Sequence, residues 1–504
     1  MCCYNHWEWR IFEGSAVADK RVYLETMGCQ MNVLDSELVL GQLCALGYEP
    51  TNDVGQADLV LLNTCSVRQH AEEKVYSRLG EIGQVRRRKP DMLVGVIGCM
   101  AERDPDGIRQ RAPHVQILCG PGNLNELPGL IREVRETGEP AVALEHDHSR
   151  KLPKYARTLE FDSIESLDLS RTLVPGGSVL QSYVRVQRGC DKFCSYCVVP
   201  FTRGPERSRP PANILTETRR LADLGAREIT LLGQTVNSYS YSENGSIVRL
   251  SELLARVNDV AGIQRIRFVT SFPGDFTDDI FYAMRDLPKV CEYLHIPAQS
   301  GSNAVLQRMK RQYTVDQYVE LIDRARAIVP DISLAGDFIV GFSGETDQEH
   351  ADTLNLVERV RYKSLFIFKY SQRPGTAAER RLPDEVPDEV KSRRHAELSA
   401  VQQRISLEHH RAMIGRSVEV LVEGYSKAAM KAQLADQNLA PHIPWRRPDQ
   451  LIGRTRGDEI VVFSGPASLI GQFVNVRVTD ATALTLHGEP ITDPVLPLVS
   501  PTSV

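Results

Sequence analysis

Among 504 residues there are 11 cysteines, and their spacing is the first hint of chemistry. Cys190, Cys194 and Cys197 lie in RGCDKFCSYCVVPFTRG with C-x3-C-x2-C spacing. A closed zinc site takes four ligands, and zinc sequences ordinarily pair two C-x2-C or C-x2-H units. No second pair follows this trio. A zinc site or scattered core thiols is the plain reading. A lone compact trio suits three irons of a 4Fe–4S cluster better, with the fourth iron open to another ligand. A second set is dispersed: Cys29 in MGCQMN, Cys65 in NTCSVR and Cys99 in IGCMAE. Each directly follows a predicted parallel strand. Such strands end on one edge of their sheet, so the three thiols could converge there and hold a second cluster with its own open iron. The alternative is three unrelated small residues at strand ends. Cys119, in QILCGPGN, is either a fourth ligand of that second site or, since it precedes its turn, a bystander. Cys44 and Cys291 fit apolar faces as ordinary buried thiols. Cys2 and Cys3 have no evident role.

The elements that must position these thiols fall into blocks. Residues 1–20 read as a disordered extension that lacks the features of a signal or transit peptide. From 21 to 137, the strands in VYLETMG, ADLVLLNT, MLVGVIG and HVQILCG alternate with amphipathic helices, predicting a small parallel α/β domain. Residues 138–178 are polar and aperiodic, a linker. From 179 to 410, six strands alternate with helices: SYVRVQRG, EITLLGQ, RIRFVTS, YLHIPAQ, SLAGDFIVG and SLFIFKY. They predict a partial (βα)6 barrel whose chemistry lies at the C-terminal ends of its strands. From 414 to 488 the apolar period becomes two, predicting a small antiparallel β-barrel, and 489–504 reads as a disordered tail. The fold class is therefore α/β with a terminal β module.

No apolar run is long enough to span a membrane. The odd cysteine count in a large chain without an export signal argues against a secreted disulfide framework, so a cytoplasmic location without membrane contact is expected. The net charge of −5 means that any nucleic acid must be held by local patches.

The trio at the end of the first core strand resembles the radical S-adenosylmethionine superfamily. With both trios and the sequences ETMGCQMNVLDSE, GCMAER, VVPFTRGPERSRP, LLGQTVNSY, HIPAQSGS, DFIVGFSGET and RPGT, the chain resembles the methylthiotransferases. It looks most like the tRNA-2-methylthio-N6-dimethylallyladenosine synthase family, from about Arg21 to Gly488. The resemblance implies an enzyme that inserts a methylthio group at C2 of N6-isopentenyladenosine next to the tRNA anticodon. It implies two 4Fe–4S clusters and S-adenosylmethionine as cofactors. One cofactor molecule supplies a methyl group to sulfur on the N-terminal cluster; the other supplies a 5′-deoxyadenosyl radical. By the same carry-over, Cys190, Cys194 and Cys197 hold the radical cluster and Cys29, Cys65 and Cys99 the auxiliary one, and through their clusters all six serve catalysis. The terminal barrel resembles the RNA-binding TRAM domain. Partners implied are tRNA carrying isopentenylated adenosine, an electron donor and a sulfur source, with a monomeric enzyme expected.

Further positions follow from the resemblance. Tyr196 matches the aromatic beside the cofactor adenine. Gly233, Gln234 and Asn237, then Gln299 and Ser300, then Asp337 and Gly341 stand where the superfamily contacts the cofactor; for the glycines a tight turn is the equal alternative. In the first cluster loop Arg188, Lys192, Arg203, Arg207 and Arg209 outnumber Asp191 and Glu206. Arg203, Arg207 and Arg209 are therefore candidate RNA contacts, against the default of a solvated basic loop. Arg446, Arg447, Arg454 and Arg456 are further candidates in the barrel. Two departures stand out: Phe272 in SFPGDF where many relatives carry His, and the rewritten loop KAAMKAQLADQNLAPHIPWRRPDQ. Two other functions stay open. One is a sister methylthiotransferase acting on threonylcarbamoyl-adenosine in tRNA or on a ribosomal-protein aspartate. The other is a non-catalytic RNA-binding iron–sulfur protein.

Overall fold

A computed structural model of the chain describes residues 20–66, 69–145, 165–171, 179–434 and 449–491. Residues 1–19 of the expected N-terminal extension, the last 13 residues of the expected tail, most of the linker, and Arg446 and Arg447 lie outside the described residues, while Lys20 already belongs to the first strand.

The N-terminal sheet has six parallel strands in the order β2-β1-β3-β4-β5-β6, with β1 Lys20–Met27, β2 Tyr48–Pro50, β3 Leu59–Thr64, β4 Leu93–Gly98, β5 Ile117–Cys119 and β6 Ala141–Ala143. Alternation along each strand feeds two separate cores. Leu59, Leu61 and Ile97 pack under the helix Gln30–Ala45, while Val60, Leu62, Val94 and Val96 pack against Val75, Leu79 and Ile82. That is why β3 and β4 open on the apolar runs LVLL and LVGVI. The helix Gln30–Ala45 is buried on nearly all sides, because its outer face meets Leu167 and Leu232. Each such leucine contributes roughly 1.5–3 kcal/mol by leaving water, so the first two domains share apolar packing.

All six expected strands of the second domain form: Gln181–Arg185, Glu228–Leu232, Arg265–Val269, Tyr293–His295, Ser333–Val340 and Ser364–Lys369. They make two parallel three-stranded sheets joined by a parallel bridge from Ile266 to Val290. One core runs through them, from Val184 and Leu231 to Phe338 and Tyr362. The helix Asp388–Arg411 leads to a closed barrel of Ser417–Tyr425, Gln450–Arg454, Ile460–Ser464, Phe473–Ala481 and Leu486–Pro490. Its pairings are antiparallel except that Ile460–Ser464 runs parallel to Leu486–Pro490. A wholly antiparallel barrel was expected. The parallel pair arises because the last strand pairs with its predecessor and also closes against the strand two back.

The barrel docks at the starting ends of the core strands. Gln181 reaches Glu423 at 3.2 Å, Arg265 donates to the Arg454 carbonyl at 2.7 Å, and Ser333 donates to Glu459 at 3.2 Å. Arg267 donates to the carbonyls of Thr455 and Arg456 at 2.6 and 2.8 Å. The loop that carries Cys190, Cys194 and Cys197 lies at the opposite end, after the strand Gln181–Arg185.

Candidate functional site

Strand register builds the N-terminal half of the site. Met27 pairs with Thr64 and Thr64 with Gly98, so Cys65 and Cys99 leave adjacent strands at one level. The Cys65 amide donates to the Met27 carbonyl at 3.0 Å, which ties in the Cys29 turn. Gly98 sits at φ 92, where a side chain would strike Asn63 and the Thr64 carbonyl. Only glycine allows the chain to turn there. Cys29 caps the helix Gln30–Ala45, and a helix N-terminus favours a thiolate. Asn32 braces the turn, accepting from the Cys29 thiol at 3.2 Å and donating to Asn63 at 2.9 Å. The Cys65 thiol hydrogen-bonds Cys29 and lowers its pKa to about 6; burial opposes this, and Arg203 adds to it. At Cys99 burial prevails and raises the pKa, against the pull of Arg203.

Cys119 is not with them. Its thiol donates to the Asn123 carbonyl at 3.3 Å inside the apolar core, and burial holds it protonated. Cys291 is buried, and Cys44 is half-buried against the core rather than enclosed.

The second trio rides one loop. Gly189, at φ 77, lets the chain pass so close to the Pro205 carbonyl that a side chain would collide with it. The Cys190 amide donates to the Gly204 carbonyl at 3.1 Å, and the Cys197 amide to the Cys194 carbonyl at 3.0 Å. The Ser195 amide donates to the Met309 carbonyl and its hydroxyl to that of Arg308. Burial pushes Cys190 up to about 11 and Cys197 up to about 12; the neighbouring thiols add to the rise. A site whose crowded thiols raise the pKa of Cys190 and Cys197 is suited to a bound cationic centre. Among the described residues no three His, Cys, Asp or Glu side chains converge as a single ion would need. A cubane takes each thiolate on a different iron, so its ligands stand apart.

Sequence reasoning missed Arg311. This buried residue directs Nη1 to Cys194 Sγ at 3.4 Å and Nε to Tyr313 Oη at 2.9 Å. Its guanidinium also lies over Phe272, 4.6 Å from the ring centre. Phe272 is itself buried, with Lys192 over the ring at 5.3 Å. Phe272 thus serves as an aromatic platform for two cations. No motif flags Arg311, because Cys194 and Phe272 come from distant loops.

The positions carried over from the family line the same end of the core. Gln187 and Gln234 follow the first two core strands, and each has a buried side-chain oxygen without a partner. Such atoms suit a polar ligand. Tyr196 meets Phe342 edge-on at 6.3 Å. Asp337 lies 3.2 Å from His295 Nε2 and accepts its proton in the tautomer that carries one there. Gln299 holds φ 72 while its backbone bridges Asp337 and Ile339. Gly341 also has positive φ, and its amide donates to Glu345 at 2.6 Å. Gly233 has no left-handed backbone but sits close to Val236 and Gln187. Asn237 and Ser300 serve the scaffold: Asn237 makes paired bonds to the Phe272 backbone at 2.7 and 2.8 Å, and Ser300 is enclosed beside Thr353.

The arginines need correction. Arg203 is buried and donates to Asp35 at 2.8 Å. Arg209, also buried, binds Glu165 at 2.7 and 2.9 Å and Glu217 at 2.7 Å. Arg188 pairs with Glu145 at 2.6 Å, and Lys192 with Asp275. Arg456 grips Glu292 at 2.7 Å from two nitrogens, and Arg454 contacts Glu423 and Asp458. Counting basic residues pointed to phosphate contacts; Arg203 and Arg209 are instead buried on internal carboxylates, while Arg454 and Arg456 are paired but remain partly exposed, at 26% and 29%. Arg207 remains partly exposed. The missing signal lay in the linker, whose Glu165 and Asp168 take up Arg209 and Arg185.

Comparison with known proteins agrees with this architecture. Residues 21–120 match a family model described as uncharacterized protein family UPF0004, residues 184–357 the radical SAM superfamily, and residues 445–491 the TRAM domain. Among solved structures, a radical S-adenosylmethionine methyltransferase from Kitasatospora setae aligns with a TM-score of 0.49 and 15% identity, covering 71% of this chain and 74% of that one. A tRNA-2-methylthio-N(6)-dimethylallyladenosine synthase of Thermoanaerobacter sp. is 41% identical, over 93% of this chain and 92% of its own. The enzyme of that name from Rhodopirellula baltica is 47% identical, over 96% of this chain and 98% of its own. With three domains matched in order and near-complete coverage at such identity, the chain belongs to the tRNA-2-methylthio-N(6)-dimethylallyladenosine synthase family of radical SAM proteins.

Proposed function

We propose that the protein is a radical SAM methylthiotransferase that converts N6-isopentenyladenosine beside the tRNA anticodon to its 2-methylthio form. The observation that carries this reading is the pair of cysteine trios at facing strand ends, in a chain of this family. Cys190, Cys194 and Cys197 would hold a 4Fe–4S cluster that binds S-adenosylmethionine; Cys29, Cys65 and Cys99 would hold a second. Bound together, these groups supply a carbon-centred radical and a methylated sulfur. The chain's own residues arrange the site. Arg311 sets a positive charge against Cys194, and Asn237 fixes the Phe272 turn on which Arg311 rests. The oxygens of Gln187 and Gln234 are available to the amino group of the cofactor. Tyr196 and Asp337 stand where its adenosine would lie. The barrel, as a TRAM domain, is the expected RNA-binding module. No described helix is long and apolar enough to cross a membrane, which fits work in the cytoplasm, with an electron donor and a sulfur source as further partners.

Mass spectrometry of tRNA nucleosides from a deletion strain tests the reading. Loss of the methylthio group from isopentenylated adenosine, restored by the wild-type gene, is expected. Unchanged tRNA with an unmodified ribosomal-protein aspartate would overturn it in favour of a sister reaction.

A further inference from the structure

The inner face of the core sheets is covered along most of its extent. Tyr183, Leu232 and Val269 share that face on the first three core strands and pack against the N-terminal domain. Deeper on it, Arg267 is taken up by the terminal barrel, and Tyr293 lies between Arg267 and Lys363. One stretch differs. The strand Ser333–Val340 is enclosed for four residues and then alternates: Asp337 and Ile339 are partly exposed, Phe338 and Val340 buried. Phe366 and Phe368 of the next strand pair with Asp337 and Ile339 and are partly exposed too. Phe338 and Val340 belong to the core under the helices. Successive side chains of a strand alternate between faces, so Asp337, Ile339, Phe366 and Phe368 face the barrel interior. His295 joins them, with Nε2 3.2 Å from Asp337 and its ring edge-on to Phe366 at 6.1 Å. Ile339 packs in one cluster with Tyr196, which stands between Cys194 and Cys197. Among the described residues Ser364–Lys369 pairs with a single neighbour, so this wall borders the open side of the barrel.

We propose that Phe366 and Phe368 receive the isopentenyl group of the substrate base and so distinguish prenylated from unprenylated adenosine. The inference rests on the methylthiotransferase reading of the site. N6-isopentenyladenine joins a polar ring, which needs hydrogen-bond partners, to five carbons that need none. The wall has matching parts side by side: the His295–Asp337 pair and two aromatic rings. The inward apolar side chains Tyr183, Leu232 and Val269 are already covered by the N-terminal domain, and Ile339 lies at the cofactor end beside Tyr196. A threonylcarbamoyl group would bring a carboxylate against these rings without a partner, which burial penalises.

The test uses the full chain reconstituted with iron and sulfide without oxygen, in the absence of S-adenosylmethionine. Fluorescence anisotropy gives the Kd of two synthetic anticodon stem-loop RNAs that differ only in the isopentenyl group. Wild type should bind the prenylated RNA about 100-fold more tightly, because each buried methylene is worth a factor of several. Phe366→Ser and Phe368→Ser should each cut that ratio about tenfold by raising the Kd of the prenylated RNA. Phe366→Leu should restore most of it. Ile367 lies between them on the same strand but packs toward the helices, so Ile367→Ala should keep the wild-type ratio. A wild-type ratio near one, equal losses for both RNAs in the serine variants, or the same collapse in Ile367→Ala overturns the proposal. So does a serine variant that keeps the ratio but binds S-adenosylmethionine more weakly, since the wall would then serve the cofactor. Nucleosides from the deletion strain decide the function separately. Loss of the methylthio group there, with equal binding of both RNAs here, removes this proposal alone.

Discussion

The two cysteine trios each present three thiols, reached by different routes. Cys190, Cys194 and Cys197 come from one loop that carries its own hydrogen bonds and leans on Met309 and Arg308. Cys29, Cys65 and Cys99 come from three strand ends and exist as a group only because β1, β3 and β4 hold their register. The electrostatics differ too. Burial dominates at Cys190 and Cys197, whereas Cys29 is pulled down to about 6 by the Cys65 thiol and helped by Arg203 from another domain. A loop site is locally encoded. A sheet-edge site depends on tertiary structure, and here on domain docking as well.

Replacing each trio separately is the most forceful way to break this comparison. Alanine at Cys190, Cys194 and Cys197 should reduce cleavage of S-adenosylmethionine to background. Alanine at Cys29, Cys65 and Cys99 should leave that cleavage measurable while the methylthio nucleoside vanishes from tRNA and bound iron falls by half. Equal loss of cleavage in both variants would mean that the trios are not independent. The next effect concerns docking. Asp35 is fully enclosed between Arg185 and Arg203, so Asp35→Ala should cost about 3–5 kcal/mol, read from the urea midpoint. Arg324→Ala, which breaks an exposed pair with Asp278, should cost only about 0–1 kcal/mol in the same assay.

A smaller, pH-dependent effect is expected at the other end of the core. Burial alone would raise the Glu459 carboxyl, but the His409 hydrogen bond, Lys363 and Thr455 outweigh it and lower the pKa from 4.5 to about 2. A depressed carboxylate contributes stability that is complete above its unfolded value and lost as pH falls toward the folded one. Barrel docking should therefore weaken between pH 4.5 and about 2, and Glu459→Gln should flatten that part of the pH profile in thermal unfolding.

Much of this was legible in sequence, for reasons that particular residues make plain. Continuous apolar runs such as LVLLNT and LVGVIG marked buried parallel strands, and the period-two stretches marked the barrel. The three-residue strands Tyr48–Pro50 and Ala141–Ala143 were missed because they lie at sheet edges and are too short to show a period. The hairpin Ser240–Arg249 was missed as well. At the site, the cysteines were legible from spacing and from their place after strands. The arginines misled, because charge in a sequence has no direction. Arg203 and Arg209 look the same on paper whether they face a phosphate or Asp35 and Glu165. Arg311 gained meaning only once distant segments were brought together at Cys194.

The inward-facing arginines bear on how RNA binding should respond to salt. A cation that touches a phosphate displaces counterions, and each such contact steepens the fall of affinity with ionic strength. Arg203 and Arg209 have carboxylate partners inside the protein, so they would release no counterions on RNA binding. Neutralising them would leave the salt slope unchanged while reducing the fraction of chains able to bind. The cations that govern that slope must be sought elsewhere on the surface.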